Sequence, residues 1–252
     1  MGSGATFATR HSKPGLPPFL LQARRVQNEQ RASLVPLAGA PSLQEYHLHL
    51  SERKWTILHT GALLSVADEL RFLGQQKDRA PYGVALWSSS IALAHEVIAR
   101  AEAFPGTRVL ELGAGTGLPG IVAASLGARV VQTDRHELAL SICKQNGARN
   151  GVSTIEYRLA DWTDWQDGGC YEWIIGSDIL YAERLHPHLR RIFESNLQPG
   201  GRVLIADPFR GVGLRLLEQM EADGWSVVVS TWRVGEEQEP RSIAVCELVR
   251  TL

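Results

Sequence analysis

From residue 86 onward, the apolar positions of this 252-residue chain alternate between two periods. The stretch from Trp87 to Ala103 carries Ile91, Ala94, Val97, Ile98 and Ala101 at helical spacing, and Pro105-Gly106 stops it. Short apolar runs of strand length then appear near 108–114, 128–134, 153–159, 172–178, 201–207, 225–232 and 241–249. Helical patterns separate most of them, near 118–126, 136–149, 184–195 and 211–223. Strand-helix alternation implies right-handed crossovers and a parallel sheet. The last two runs are joined by Gly235-Glu-Glu-Gln-Glu-Pro240, which leaves no room for a helix, so they are expected to pair antiparallel. Upstream, residues 43 to 60 alternate in places (Tyr46, Leu48, Leu50; then Trp55, Ile57) and predict a short hairpin. Gly61 to Leu73 reads as a short helix, with Leu63, Leu64, Ala67 and Leu70 on one face. The resulting expectation is an α/β chain: a flexible extension over 1–40, a hairpin and helix cover over 41–85, and the main domain over 86–252.

Composition narrows the class without fixing the chemistry. The chain is 44% apolar and 21% charged with a formal net charge of −1. That balance gives no global attraction to nucleic acid or to anionic membranes. Cys143, Cys170 and Cys246 lie far apart with no CxxC pair, which suggests neither a disulfide framework nor a zinc site and fits a reducing compartment. No apolar run approaches the roughly 20 residues of a membrane span. A soluble, cytoplasmic and monomeric protein is the expectation. Residues 1 to 28 carry Arg10, Lys13, Arg24 and Arg25, with no acid before Glu29. They read as a disordered tail; the basic, acid-poor composition also fits an organelle transit peptide. Met1-Gly2-Ser3-Gly4-Ala5-Thr6 fits the loose myristoylation pattern, which recurs by chance.

The most informative segment runs from Arg108 to Gly120. An apolar strand (Val109, Leu110, Leu112) enters Gly113, Gly115 and Gly117, and a new apolar helix begins at Leu118. A glycine turn lets backbone approach a ligand closely, and the helix N–H groups face whatever docks there. The next strand ends in Asp134, where a carboxylate can accept both hydroxyls of a ribose. These features point to an adenosine-bearing cofactor. Gly115-Thr-Gly117-Leu-Pro-Gly120 also satisfies the GxGxxG dinucleotide pattern, a weak signal alone. In that reading Gly120 is the close-packing glycine of the helix. The GxGxG frame directly behind Glu111, and the long segment preceding it, oppose that reading.

Glu111-Leu-Gly113-Ala-Gly115-Thr-Gly117 resembles motif I of the class I S-adenosylmethionine (SAM) methyltransferases. The resemblance implies a Rossmann-like, doubly wound seven-stranded sheet of order 3-2-1-4-5-7-6 with strand seven antiparallel. It implies SAM as cofactor, with Glu111, Gly113, Gly115, Gly117 and Asp134 at the cofactor. Asp161 and Trp162, after the third strand, resemble motif III, where an acid reads the adenine amino group and its neighbour covers the ring; as plain structure, Asp161 caps a loop and Trp162 is core. Trp87 ends a Gly-x-x-x-Trp run similar to one in the seven-strand protein lysine methyltransferases, where the Trp lies against the cofactor. Ser88 departs from the proline common there, and a plain helix staple is the alternative.

Ser177-Asp178-Ile-Leu-Tyr181 ends the fourth strand, and Asp178 to Tyr181 matches the Asp-x-x-Tyr signature of that same subgroup, which borders the methyl-acceptor pocket. The resemblance therefore implies Asp178 and Tyr181 as catalytic residues, with Ser177 beside the cofactor. His186-Pro-His188 and His47-Leu-His49 lack a third ligand of fitting spacing and read as surface histidines, so no metal is expected. The function implied is a SAM-dependent N-methyltransferase acting on a protein lysine. A small-molecule N-methyltransferase on the same fold is the alternative, and a non-catalytic SAM-fold binding protein is opposed by the intact motifs. Residues 40 to 85 and the loop 233–241 are expected to build the acceptor rim.

Overall fold

The computed structural model of the chain describes residues 8–9, 43–75, 84–235 and 240–251, with the side chains of 72–75 left aside. The tail, transit-peptide and myristoylation readings thus lie outside the described residues, apart from Ala8–Thr9.

The main sheet is built from β6 (Arg108–Leu112), β7 (Arg129–Asp134), β8 (Glu156–Leu159), β9 (Tyr171–Ser177), β10 (Leu197–Asp207), β11 (Trp225–Val234) and β12 (Arg241–Arg250). Their order is β8-β7-β6-β9-β10-β12-β11, with β12 antiparallel to both neighbours and the other long strands parallel where they pair. In chain order this is 3-2-1-4-5-7-6, as the resemblance implies, with the last two strands antiparallel as the residue pattern predicts. A two-residue strand, β1 (Ala8–Thr9), lies parallel beside β11.

Alternation along each strand sorts the core into two layers. Val109, Ile175 and Leu204 face α2 (Ser88–Ala99) and α3 (Leu118–Ser125). Leu110, Leu112, Ile174, Val203 and Ile205 face α5 (His186–Asn196) and α6 (Gly211–Ala222). The sheet is covered on both sides, which is why its central strands read as continuous apolar runs.

The N-terminal part differs in detail from the sequence expectation. The predicted hairpin forms as β2 (Gln44–Leu50) and β3 (Arg53–His59). Its Tyr46, Leu48, Leu50, Trp55 and Ile57 join the core layer of α2 and α3. The predicted helix begins later than Gly61, as α1 (Val66–Gln75). Ala62–Leu63 (β4) is drawn instead into parallel pairing with Leu86–Trp87 (β5). Ser65 then caps the helix: its hydroxyl accepts from Asp68 N–H and Asp68 Oδ2 accepts from Ser65 N–H, both at 3.1 Å. Likewise α2 ends at Ala99, short of Ala103, and the remaining residues form a 3₁₀ turn, Ala101–Ala103, before Pro105.

Helix α4 (Glu137–Arg149) carries Asn146, and Asn150 follows it, on the side facing β3. Asn146 accepts from Leu58 N–H at 2.7 Å and donates to Leu58 C=O at 3.1 Å. Asn150 does the same with Thr56, at 3.0 and 2.9 Å. Two side-chain amides thus take the place of a neighbouring strand on β3. That satisfies an edge which would otherwise bury unpaired backbone groups.

Candidate active site

The carboxyl ends of β6 and β9 diverge where the sheet order reverses, the place at which open α/β sheets hold ligands. A cavity of about 610 Å³ opens there. Its wall includes Trp87, Gly113, Asp134, Asp161, Trp162, Ser177, Asp178 and Tyr181, so eight of the sequence candidates converge on one space.

The turn after β6 is built on glycine for a stereochemical reason. Gly113, Gly115 and Gly117 have φ of 63°, 58° and 80°, the left-handed region where a Cβ is disfavoured. A Cβ on Gly113 would also lie 3.1 Å from Trp162 Cζ2 and 3.2 Å from Ile179 Cγ2. The bare backbone is therefore part of the cavity wall.

Gly115 and Gly117 are not among the lining residues; they shape the turn from behind. Glu111 lies there too. Alternation along β6 sends its side chain under α3, where Oε2 accepts from Gly120 N–H at 3.2 Å and from Gln132 Nε2 at 2.6 Å. Gly117 caps α3 without a side-chain hydrogen bond, so the Glu111 carboxylate takes one of the orphan N–H groups of the helix. Burial pushes its carboxyl up to about 8 against the pull of Gln132 and Gly120. A Cβ on Gly120 would overlap this carboxylate and come within 2.6 Å of Gln132 Nε2. Gly120 is thus the close-packing glycine that the dinucleotide reading required, a feature that does not by itself choose the cofactor.

Asp134 closes β7 with both oxygens engaged: Oδ2 accepts from Gly115 N–H at 3.1 Å and Oδ1 from His136 N–H at 2.9 Å. Burial raises its carboxyl, and these N–H groups oppose the rise. Asp161 is more exposed. Its Oδ1 accepts from Thr163 N–H at 2.8 Å and Thr163 Oγ1 at 2.7 Å, which lowers its carboxyl and caps the 3₁₀ turn carrying Trp162. Loop capping and a place in the cavity wall therefore coexist at Asp161.

The far end of the cavity centres on Asp178, buried and in the left-handed region at φ 56°. Its Oδ1 receives Arg210 Nη1 at 2.7 Å; its Oδ2 is buried and makes no hydrogen bond of normal geometry among the described residues, with the Ser89 hydroxyl facing the carboxylate. Tyr181 stands at the mouth, 51% exposed. Arg210 and Glu69 also line this end, and neither stood out in the sequence. The available signal was positional: Arg210 lies just beyond Asp207, at the carboxyl end of β10. The rim expectation needs correction. Glu69 of α1 reaches the cavity and pairs with Arg241, but β2 and β3 lie behind the glycine turn, held there by Asn146 and Asn150. Residues 236–239 of the loop lie outside the described residues.

The surface reading of the histidine pairs fails at His186, and one member of each pair has a local contact. His186 is buried with Nε2 3.1 Å from Leu180 O, and His47 Nδ1 is 3.0 Å from Thr56 Oγ1.

Comparison with known proteins bears on this geometry. The sequence profile of a family described as lysine methyltransferase matches residues 67–213. The chain is 34% identical over 153 residues to protein N-lysine methyltransferase METTL21A of Danio rerio, covering 58% of this chain and 69% of that one. It is 34% identical to the Xenopus tropicalis METTL21A, covering 47% and 58%. A histone-arginine methyltransferase, METTL23 of Mus musculus, is 34% identical over 40% of this chain and 42% of its own length. Among solved structures, a Lactobacillus delbrueckii subsp. bulgaricus ribosomal protein L11 methylase superposes with TM-score 0.51 at 24% identity, over 70% of this chain and 92% of that one. A T. thermophilus 16S rRNA N2 G1207 methyltransferase superposes with TM-score 0.56 at 17% identity, over 84% and 52%. These two likenesses show the fold.

Proposed function

The chain belongs to the lysine methyltransferase family and is a SAM-dependent methyltransferase, and we propose that its acceptor is the side-chain amine of a lysine on a protein. The residues of the cavity suit the cofactor. The bare backbone at Gly113, a polar group at Thr116 and the carboxylate of Asp134 line one continuous wall with Trp162. In this reading Asp134 takes the ribose hydroxyls, Asp161 and Trp162 take the adenine, and the Gly113 to Gly117 turn with Trp87 and Ser177 takes the methionine end. Glu111 holds that turn from beneath.

The cofactor supplies a sulfonium methyl group, which the amine lone pair takes as the S–C bond breaks and its electron pair stays on sulfur. What remains for the protein is alignment, exclusion of water and a neutral nucleophile. A lysine amine titrates near ~10.4 in water and must lose its proton before it attacks. The flanking aromatic groups Trp87 and Tyr181 disfavour the ammonium by desolvation, and Asp178 Oδ2 offers an acceptor to an amine N–H.

The observation that carries the protein-lysine reading is the pairing of a buried, half-satisfied Asp178 with an exposed Tyr181 at the mouth of one cavity. A long, thin side chain can reach the first past the second. Phe209, 40% exposed just before Arg210, and Leu70, 67% exposed on α1, add apolar surface suited to a macromolecular partner. A monomer in a reducing, cytoplasmic setting completes the reading; the free thiols of Cys143, Cys170 and Cys246 support that compartment.

The test is incubation of the purified chain with methyl-labelled SAM and cell lysate, followed by hydrolysis of the labelled product. Label in methyl-lysine of protein is expected. Label in methylarginine, as the METTL23 relatives make conceivable, or in small solutes, would overturn the reading.

A further inference from the structure

Arg210 is held more firmly than a surface arginine needs to be. Its backbone N–H donates to Asp207 Oδ1 at 2.7 Å, and its Nη1 returns to Asp207 Oδ2 at 2.9 Å. The same Nη1 donates to Asp178 Oδ1 at 2.7 Å. Nη2 lies 3.7 Å from Glu69 Oε1, and the other oxygen of Glu69 pairs with Arg241. Phe209, the preceding residue, has φ 59°, so the backbone is turned sharply to bring the guanidinium back over the strand ends. Asp178 is in the left-handed region as well, anchored by its N–H to Ala206 C=O at 2.9 Å. Two strained backbone turns thus converge on one guanidinium–carboxylate contact.

We infer that Arg210 is a positioning residue for methyl transfer: it fixes Asp178 through Oδ1, leaves Oδ2 for the acceptor nitrogen, and neutralises the carboxylate so that the amine is held without its extra proton. This deepens the lysine reading and rests on it. An unpaired carboxylate in this buried place would stabilise an ammonium directly and raise the acceptor's own pKa, which suppresses attack. With Arg210 bound, Oδ2 still accepts an N–H but presents the dipole of an ion pair rather than a full charge. The groups facing Asp178 are few. Arg210 and Asp207 come from the β10–α6 connection and β10, and Ser89 from α2, whose hydroxyl also pulls the Asp178 carboxyl down. Glu69 and Arg241 act on Asp178 only through Arg210, and Tyr181 stands at the mouth. Burial drives the Asp178 carboxyl upward, and Arg210 is the principal group pulling it back.

The test compares wild type, Arg210→Met and Arg210→Lys by methyl transfer across pH, with S-adenosylhomocysteine titration and thermal unfolding alongside. Arg210→Met should lower kcat by about 30-fold, the scale of a lost charge-assisted contact. It should leave S-adenosylhomocysteine affinity within about threefold and move the acidic limb of kcat, which reports the bound acceptor, upward by about one pH unit. Low millimolar guanidinium chloride should restore part of the rate to Arg210→Met, and Arg210→Lys should recover the position of the limb more fully than the rate. A loss of rate with an unmoved limb and no response to guanidinium would overturn the inference and leave Arg210 a prop for the fold. Undiminished activity would overturn it equally. Hydrolysis of the same labelled product identifies the acceptor residue, so a failure of the lysine reading is seen separately from a failure of this one.

Discussion

The side-chain amide of Asn146 donates to Thr116 C=O in the glycine turn at 2.9 Å, while the same side chain pairs with both backbone groups of Leu58 in β3. One buried side chain therefore ties the N-terminal hairpin to the turn that lines the cavity. The hairpin is a support for the turn, which explains why it packs behind it.

Asn146→Ala should consequently harm two properties together. It strands three buried backbone groups, at about 1–3 kcal/mol each when nothing replaces the partner. Stability should fall by at least about 2 kcal/mol in urea titration, and S-adenosylhomocysteine affinity should weaken by about tenfold at a temperature where the variant is folded. Equal cofactor affinity in the folded variant would separate hairpin from turn.

Beneath the same turn, Gly120→Ala should be among the most damaging small substitutions. The added methyl overlaps the Glu111 carboxylate and crowds Gln132 between a central strand and a buried helix, neither free to retreat. Overpacking of this kind costs about 1–3 kcal/mol or more. Chemical denaturation checks the loss; an unchanged midpoint would mean that Glu111 can swing aside.

Glu111 should also write a pH dependence into stability. Burial holds its carboxyl near 8 in the folded chain against 4.5 for the free group. Between these values the folded state keeps a proton that the unfolded state has released. Stability should therefore fall as pH rises through that window and level off above it, with a limiting slope of about 1.4 kcal/mol per pH unit. Glu111→Gln should flatten the slope, measured by urea denaturation from pH 5 to 8; parallel curves for the two proteins would remove Glu111 as the cause.

These residues also show why parts of the fold were legible in sequence and others were not. Val109, Leu110 and Leu112 announce a strand covered on both faces because a parallel sheet leaves no polar side. Asp134 and the Asp178 to Tyr181 segment stand at strand ends, so placing the strands places them. Glu111 read as a cofactor residue because its motif was matched as a string; alternation along β6 would have turned it toward α3. The late start of α1 and the seat of the hairpin depend on Leu86–Trp87 and on Asn146 and Asn150, remote partners that local periodicity does not name. Arg210 was illegible for a related reason: an arginine after a strand reads as solvent-facing until the turn at Phe209 folds it back.

Asp134→Ala should act on cofactor binding rather than on turnover at saturation. Its oxygens are oriented by Gly115 and His136 N–H groups before any ligand arrives, so little ordering remains on binding. Loss of the charged acceptor should weaken S-adenosylhomocysteine by about 10- to 100-fold, with kcat at saturating SAM changed far less. Calorimetric titration checks this, and unaltered affinity would take Asp134 off the ribose.

Asp178→Asn divides cofactor from acceptor most sharply. Asparagine tolerates the left-handed backbone as aspartate does, so φ of 56° is kept at no added strain. Arg210 keeps Asp207 as an anchor through two contacts and stays near its place. What changes is the Arg210-facing oxygen's charge and the group presented to the acceptor nitrogen. Turnover should drop by about 100-fold or more, while S-adenosylhomocysteine binds within about threefold of wild type. A stopped enzyme that still holds its cofactor would locate Asp178 at the amine. If turnover and cofactor affinity fell in step, the acid would belong to the SAM wall, and the acceptor would have to be oriented by Tyr181 and the aromatic mouth instead.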